Sequence, residues 1–519
     1  MKNQQGSALV EWLQQIQENL YLLKPSLETF VVAILGIPWA DQERPVIAAY
    51  KHFLTNLVSA QSYYTKPVVK MLLTIMMGDK ENQNSSDQVF ENAHEALRSI
   101  VRISPLAANS AILSFGKSCM PFMLTPFTHM HSNYIKNLLK ITEYLPQERI
   151  AILTLVVDRL IQLDANLPVG EDLYDEDDTE EDKRKSREQI CRDNLDEAMK
   201  IMFEFVKDQG QSDAELNKLY EDFLLVFEAN IMTSYATGHV QFLMFYLGSL
   251  SPKVYSLKFL EFAWKKFLSP SGASIMRQTA IAYIASYVAR AKFTDVSLLR
   301  MYLKRLSSWV NGYLAARGEN GLDAHYVDVR AHGPFYAACQ ALLYMLAFRY
   351  EELVSGGPKS IEFLNSLRLG HIVCSQLNPL KVCLPPVVKN FAAIARHYQL
   401  AYCETVIQKN ARLNLPVVGA MSSTTTVIGE AKLALLDTFF PFDPYRLKDS
   451  KKFVTEHYRE YQGSLADSED EDDSDSDESD EEEPPVPKAK RRRLNSSGSW
   501  SGLLMDYDAS PGFMKVDHI

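Results

Sequence analysis

The chain has 519 residues, of which 46% are hydrophobic and 11% aromatic, so it can bury one large apolar core or several contiguous cores. Its six cysteines lack the paired spacing of a disulfide framework, which is typical of a reducing compartment. The first residues carry no signal-peptide pattern, and the longest strongly apolar run, residues 30–40, is interrupted by Gly36 and Pro38. We therefore expect a folded protein that is neither secreted nor membrane-spanning.

The formal net charge of -11 is distributed unevenly. Residues 171–182 hold nine acids and no base, residues 467–483 hold thirteen acids, and without these twenty-two acids the formal charge would be +11. Nine of the remaining positive charges stand beside the two acidic runs, which leaves little net charge for the rest of the chain. Because a duplex-binding domain normally shows a concentrated basic face, we expect direct DNA contact to be secondary at most.

Apolar residues recur at three- and four-residue intervals along nearly the whole chain, a pattern that predicts amphipathic helices. Near the N-terminus the apolar face is predicted to run through Trp12, Ile16, Leu20 and Leu23. Short Pro, Gly or Ser links separate the later helices, which are predicted over residues 188–207, 213–229, 238–249, 254–268, 273–291, 296–314, 334–353 and 386–408.

Helices of about 15 to 20 residues with short links, at one pair every ~35 to 45 residues, are typical of HEAT or armadillo repeats. The sequence therefore favours an all-α, HEAT/armadillo-like superhelical solenoid, with an irregular helical domain as the alternative because no repeated signature is present. The acidic runs lack the apolar residues that a packed core needs. We predict helical repeats over residues 1–167, a disordered acidic loop over 168–187, repeats of the same solenoid over 188–462, and a disordered tail over 463–519.

Residues 116–118, Gly-Lys-Ser, resemble the end of a phosphate-binding P-loop. That motif requires a glycine five positions before the Gly-Lys pair, and Ala111 stands there. The segment also lies in a helical context rather than after a strand, so a helix end with glycine as terminator is the favoured interpretation.

Metal binding has equally little support in the sequence. His129 and His131 are two residues apart, and no Cys-x-x-Cys or His-x-x-x-His pair occurs. Cys374 and Cys383 flank a proline-rich segment without a second cysteine pair, which indicates core thiols. The sequence therefore predicts no catalytic, cofactor-binding or metal-binding residues.

The C-terminal tail carries two kinds of recognition pattern. A compact basic run is typical of a nuclear-localisation signal bound by an import receptor, or else it only neutralises the adjacent acids; its members are Lys488, Lys490, Arg491, Arg492 and Arg493. Three serines have an acid three residues further on, and a fourth precedes a proline, so protein kinases could modify Ser468, Ser474, Ser479 and Ser510.

Two segments are candidates for partner contact. The aromatic stretch of Phe439, Phe440 and Phe442 either seals the last helical layer or anchors a partner, and packing is favoured. The second candidate is a modest basic patch that could contact phosphates or an acidic protein, with a solvated face as the simpler interpretation; it consists of Arg290, Lys292, Lys304 and Arg305.

Several long sequence blocks carry a family resemblance in a consistent order. They are residues 239–246 (HVQFLMFY), 332–340 (HGPFYAACQ), 375–388 (SQLNPLKVCLPPVV) and 436–444 (LDTFFPFDP), with Pro38-Trp39 and residues 56–61 nearer the N-terminus. Together they cover roughly residues 10 to 455, and the chain resembles the RNA polymerase I-specific transcription initiation factor family, also called TIF-IA.

The resemblance implies a non-enzymatic superhelix of HEAT-type repeats. It implies binding to RNA polymerase I through the stalk subcomplex and adjoining surface, delivery of the enzyme to the promoter-bound selectivity complex, control by phosphorylation, and a nuclear and nucleolar location. The alternative function is a nuclear transport receptor or general helical adaptor, because importin-like solenoids share helical pairs and acidic loops. Such a receptor would not need the basic import run at 487–493.

Overall fold

The computed structural model describes residues 2–79, 87–167, 179–210, 212–234, 237–317, 328–413 and 440–461. Within these ranges the chain consists of helices and turns, and its only β-type pairing is one bridge between Ala291 and Tyr458. It divides into two compact units. Unit 1 comprises Met1–Leu247 and Arg446–Phe453, and unit 2 comprises Gly248–Tyr445 and Val454–Ile519. The main boundary between the units falls at Gly248.

In unit 1, helices pack on their neighbours and on the next helix but one, so that their apolar stripes share a core. The helices are α1 (Lys2–Glu18), α2 (Glu28–Leu35), α3 (Arg44–Ala60), α4 (Thr65–Ile75), α5 (Asp87–Ile103), α6 (Pro105–Ser118), α7 (Thr128–Tyr144), α8 (Arg149–Asp164), α9 (Thr179–Gln209) and α10 (Asp213–Val226), and α11 (Phe242–Leu250) spans the boundary between the units.

The buried stripe at the N-terminus differs from the predicted one. Leu13, Leu20 and Leu23 are buried against the rest of the unit, whereas Trp12 is 38% exposed. Helix α1 packs against α3, and Leu13 is fully buried while the neighbouring tryptophan lies partly at the surface. The three-and-four spacing correctly predicted a helix and the burial of Leu20 and Leu23, but it was wrong for Trp12.

His94 on α5 is a buried polar group whose hydrogen bonds lie inside unit 1. Its Nδ1 is 3.0 Å from the hydroxyl of Tyr144, and its Nε2 is 3.1 Å from Oδ1 of Asn137. A neutral imidazole with its proton on Nε2 satisfies both contacts. Burial lowers the pKa of His94 to about 4, so the neutral form is the one that the fold stabilises.

Helix α9 begins at Thr179, so residues 179–187 of the predicted acidic loop are helical, and residues 168–178 lie outside the described ranges. The same helix carries Asp196, whose carboxylate accepts backbone N–H bonds from Lys448, Asp449 and Ser450 at 2.9, 2.8 and 2.9 Å. The Ser450 hydroxyl also donates to it at 2.5 Å. Asp196 therefore holds the turn at residues 448–450, which is distant in sequence but belongs to the same unit.

Unit 2 is arranged around its longest helix, α15, which packs against five others. Its helices are α12 (Leu257–Leu268), α13 (Ser274–Arg290), α14 (Val296–Arg317), α15 (Val329–Val354), α16 (Pro358–Ser366), α17 (Leu369–Val373), α18 (Pro379–Val382), α19 (Pro385–His397) and α20 (Glu404–Leu413), and α21 (Lys452–Thr455) crosses the boundary. Helix α15 is kinked at its first turn, because His332 leaves helical geometry two residues before Pro334.

Gly248 allows the helix backbone to approach the side chain of Tyr287 closely in unit 2. A Cβ atom added there would lie 1.9 Å from the Oη of Tyr287, a fully buried side chain whose hydroxyl contacts the Ser256 hydroxyl at 3.1 Å. The position therefore requires glycine for packing. Gly312 on α14 is different, because nothing lies within 4 Å of the added atom.

The single helix predicted over residues 386–408 is two helices. Helix α19 ends at His397, and Gln399 has a φ of 54°, a left-handed conformation from which a helix cannot continue. The chain reverses there and α20 begins at Glu404. The apolar periodicity continues across the turn by coincidence, and no proline or glycine marks the break.

Candidate interaction surfaces

The residues considered from sequence as possible nucleotide or metal ligands make structural contacts within unit 1. Gly116 lies inside the last turn of α6, which continues to Ser118, so it is not the predicted helix terminator. A Cβ atom there would lie 2.9 Å from Cδ1 of Leu155, and the glycine thus permits close packing against α8. His129 and His131 contact separate backbone carbonyls, each at 3.1 Å.

Among the residues that the structure describes, no three His, Cys, Asp or Glu side chains are placed to hold a metal ion. Four of the six cysteines are buried, among them Cys383, but Cys374 is exposed. The prediction of a core thiol is therefore wrong for Cys374, which lies just after the short helix α17. In the same described ranges, no helix is long and apolar enough to cross a bilayer.

Arg290 does not belong to a surface patch. Its guanidinium is buried, and Nε and Nη2 donate to Oδ1 of Asp443 at 3.1 and 2.8 Å. The Tyr344 hydroxyl donates to the same oxygen at 3.0 Å, and the guanidinium carbon lies 4.4 Å from the ring centre of Phe348. This predicted contact residue is therefore part of the interior of unit 2, because its charge is neutralised there by a carboxylate distant in sequence.

The other three members of the predicted basic patch lie at or near the surface. Lys292 is exposed, and the exposed Lys304 donates to the backbone carbonyl of Ser366 at 3.3 Å. Arg305 is partly buried and ion-paired with Glu261. With one member buried and another paired, the four side chains do not form the predicted patch.

The aromatic segment before Asp443 packs inside unit 2. Phe440 stacks on Tyr344 with ring centres 3.9 Å apart and an interplanar angle of 14°. Phe442 is fully buried, and its backbone N–H donates to the Ser286 hydroxyl at 2.9 Å. The packing interpretation thus describes both residues, and Phe439 lies outside the described ranges.

Unit 1 carries an exposed apolar region around α2, here termed the aromatic N-terminal surface and defined by Trp12, Leu27, Phe30, Val32 and Tyr63. Their exposed fractions lie between 38% and 50%. Trp12 and Phe30 make an edge-to-face pair with ring centres 6.4 Å apart. Neighbouring exposed apolar side chains of this size are typical of protein-binding sites, where aromatic residues supply much of the affinity.

Sequence reasoning did not find this surface. A signal was present in α2, whose sequence ETFVVAIL is apolar on every face after its first two residues. Such a helix is normally buried on all sides. Here Val31, Ile34 and Leu35 are buried, while Phe30 and Val32 are not.

Unit 2 presents a second exposed region along α12 and the turn before it, here termed the α12 ridge. Exposed apolar and basic side chains recur along it: Val254, Leu257 and Leu268 together with Lys253, Lys258 and Lys265. Glu261, on the same helix, is ion-paired with Arg305. The α12 ridge therefore combines exposed apolar side chains with basic ones.

The tail predictions concern residues that the structure does not describe. The basic run at 488–493 and the serines at 468, 474, 479 and 510 all lie beyond Tyr461, where the described residues end. They remain predictions from the sequence.

Stacked helices whose apolar stripes share a core define an all-α, helical-repeat fold. The sequence model of the family described as RNA polymerase I specific transcription initiation factor RRN3 matches residues 1–192 and 171–466. The chain belongs to this family.

Named relatives agree with this membership. The chain is 33% identical over 513 residues to a protein of Mus musculus named RNA polymerase I-specific transcription initiation factor RRN3, with 88% of this chain and 76% of the mouse protein covered. It is 27% identical over 499 residues to rrn3 of Schizosaccharomyces pombe, named in the same way, with 86% and 78% covered. These relatives are named as initiation factors and not as enzymes.

A solved structure shows the same fold. The crystal structure of RNA polymerase I transcription initiation factor Rrn3 superposes with a TM-score of 0.70 at 22% identity, covering 88% of this chain and 90% of that chain. The predicted all-α, HEAT-like fold class is confirmed.

Proposed function

We propose that this protein binds RNA polymerase I, makes it competent for initiation, and bridges it to the promoter-bound selectivity complex for ribosomal RNA synthesis. Family membership over nearly the whole described chain is the observation that carries the proposal. A bridging factor needs at least two separate contact surfaces. The aromatic N-terminal surface in unit 1 and the α12 ridge in unit 2 meet that requirement.

We assign polymerase binding, through its stalk subcomplex and adjoining surface, to the aromatic N-terminal surface. Immobilised full-length protein should retain RNA polymerase I in preference to polymerases II and III. Replacing both Trp12 and Phe30 with alanine should weaken retention of polymerase I about 5- to 30-fold, since truncated aromatic anchors typically cost about 1–2 kcal/mol or more.

The matched control is Leu225→Ala, which removes a side chain that is 54% exposed elsewhere in unit 1. Equal retention of the three polymerases would refute the function. Unchanged retention by the Trp12/Phe30 variant would refute only the assigned surface.

Contact with the selectivity complex is assigned to the α12 ridge. Reversing the charge of Lys258 and Lys265 to glutamate should weaken binding to the purified complex and reduce its salt dependence, because rim charges mainly affect association. The same variant should retain RNA polymerase I normally. Loss of both interactions together would indicate damage to the fold, which a circular dichroism melt would detect.

Nuclear import, nucleolar location and control by protein kinases complete the proposal. Replacing the five basic residues of the run at 488–493 with alanine should leave a fluorescently tagged protein outside the nucleus. Each phosphate would add about -1.5 to -2 charges to the tail. Comparing polymerase retention before and after treatment with an acidophilic kinase tests whether Ser468, Ser474 or Ser479 controls activity.

A further inference from the structure

Unit 2 contains a groove with a volume of about 910 Å³ between α18, α19 and α20. Its apolar lining includes Leu380, Val388 and Ile407, and Tyr402 stands at its edge with 86% of its surface exposed. A groove of this size accommodates several residues of an extended peptide. One wall of the groove, α19, also contacts the last described residue of the chain.

The charges that line the groove are mainly positive. Lys381, Lys389 and Arg396 line it, against one acid, Glu404. Burial raises the pKa of the Cys403 thiol, another lining group, to about 12, so that this thiol stays neutral at physiological pH. The groove therefore offers an apolar floor with a basic rim, which is complementary to an acidic segment containing little apolar surface.

The described chain ends on the helix that forms one wall of this groove. The Tyr461 hydroxyl accepts a hydrogen bond from Nδ2 of Asn390 at 2.8 Å, and its ring centre lies 5.2 Å from that of Phe348. Asn390 directly follows Lys389 on α19. The acidic run begins at Asp467, only six residues beyond Tyr461, and six residues can span about 20 Å, the length of α19 itself.

We propose that the acidic segment 467–483 docks in the groove between α19 and α20, with its carboxylates facing Lys381, Lys389 and Arg396. Thirteen acids compete for these three basic side chains, so the docked segment exchanges among several registers. Leu465 is the one large apolar residue between Tyr461 and the acids, and it contacts the apolar floor. Segment 414–439, which follows α20, fits the basic rim less well, because it carries two acids and one base.

The docked segment shields the groove from other acidic ligands. This role is separate from the proposed polymerase binding. Phosphates on Ser468, Ser474 or Ser479 would add negative charge to the docked segment and strengthen the contact. Because the proposed contact lies within one chain, its test requires neither polymerase nor promoter.

The test is zero-length cross-linking of the full-length chain with a carbodiimide, which joins a lysine amine to a carboxylate in contact with it. Mass spectrometry should find Lys381 and Lys389 joined to acids of segment 467–483. Raising the ionic strength from ~0.1 M to ~1 M shortens the Debye length from about 10 Å to about 3 Å and should abolish these links. Lys359, an exposed lysine on α16, is the matched control and should link to the tail rarely.

The variant Arg396→Gln removes one rim charge while keeping both reporting lysines. It should lower the yield of links at Lys389 about two- to fivefold, as expected for one partly exposed ion pair. Lys359→Gln should leave that yield unchanged, and circular dichroism should show both variants folded.

Three outcomes would overturn the proposal. One is a link frequency at the groove lysines no higher than at Lys359. Another is linkage of the groove lysines mainly to Glu430 or Asp437, which would assign the groove to segment 414–439. The third is linkage between molecules and not within one, seen when chains of natural and heavy isotope composition are mixed.

Discussion

The buried ion pair of Arg290 and Asp443 should dominate the stability of unit 2. Their side chains are 3% and 6% exposed, and Asp443 also accepts the hydroxyl of Tyr344. Replacing Asp443 with alanine leaves a buried guanidinium without its counter-charge. Breaking a buried pair on one side typically costs about 3–5 kcal/mol. For a unit with about 170 described residues, that corresponds to a melting temperature lower by about 6 to 20 °C.

The assay is thermal and urea unfolding of the full-length protein, followed by circular dichroism. Glu261→Ala is the matched control, because it breaks an ion pair with Arg305 in the same unit whose side chains are 34% and 38% exposed. Such a partly exposed pair should contribute about 0.2–1 kcal/mol. If Asp443→Ala lowered the free energy of unfolding no more than Glu261→Ala, burial would not set the strength of these pairs, and the reasoning would fail.

A double replacement separates charge from packing. Arg290→Met combined with Asp443→Leu removes both charges while keeping side chains of similar volume. Because apolar replacement of a whole buried pair is often neutral, the double variant should be more stable than Asp443→Ala alone. Greater destabilisation in the double variant would indicate that hydrogen bonds to neighbouring groups, and not the uncompensated charge, cause the loss.

Three further predictions test other contacts. Asp196→Ala should raise amide hydrogen exchange at residues 448–450, because their three N–H groups lose their acceptor, while exchange in α13 stays unchanged. The folded-state pKa of His94, about 4, lies below the unfolded value of 6.5, so its contribution is complete above pH 6.5 and is lost as pH falls towards 4. Urea unfolding should therefore show a loss of about 1 kcal/mol between pH 7.5 and 5.5 that is absent in His94→Gln. Gly248→Ala should destabilise unit 2 by about 1–3 kcal/mol through overpacking, whereas Gly312→Ala should be neutral or slightly stabilising; equal effects would contradict the packing role of Gly248.

Local periodicity was sufficient to predict most helices of this protein. The helix predicted over 273–291 is Ser274–Arg290, and the one over 296–314 is Val296–Arg317. In each, apolar spacing and flanking breakers agree with the packing that the fold imposes. The turn after α19 was missed because Gln399, an ordinary residue, adopts the left-handed conformation there. Nothing in the local sequence distinguishes it from a helical glutamine.

The side chains that could not be placed from sequence are those whose partner is remote. Arg290 meets an acid 153 residues away, so its charge looked like surface charge until the fold brought Asp443 beside it. Asp196 caps a backbone segment more than 250 residues further along. Non-local pairs of this kind depend on which helices become neighbours, and amphipathic spacing does not contain that information.

The wrong assignments of Trp12 and Arg290 have one physical cause. Apolar spacing shows which side of a helix could be buried, but burial also requires another element to cover that side. In α1, which packs against α3, Leu13 is covered and the adjacent Trp12 is left partly in solvent. In α13 the segment carrying Asp443 covers the end of the helix, and Arg290 is enclosed. An apolar side chain that stays exposed once its described neighbours are placed indicates a binding surface more reliably than the sequence pattern around it does. For this reason we propose the polymerase contact at Trp12 and Phe30 and not at the predicted basic patch.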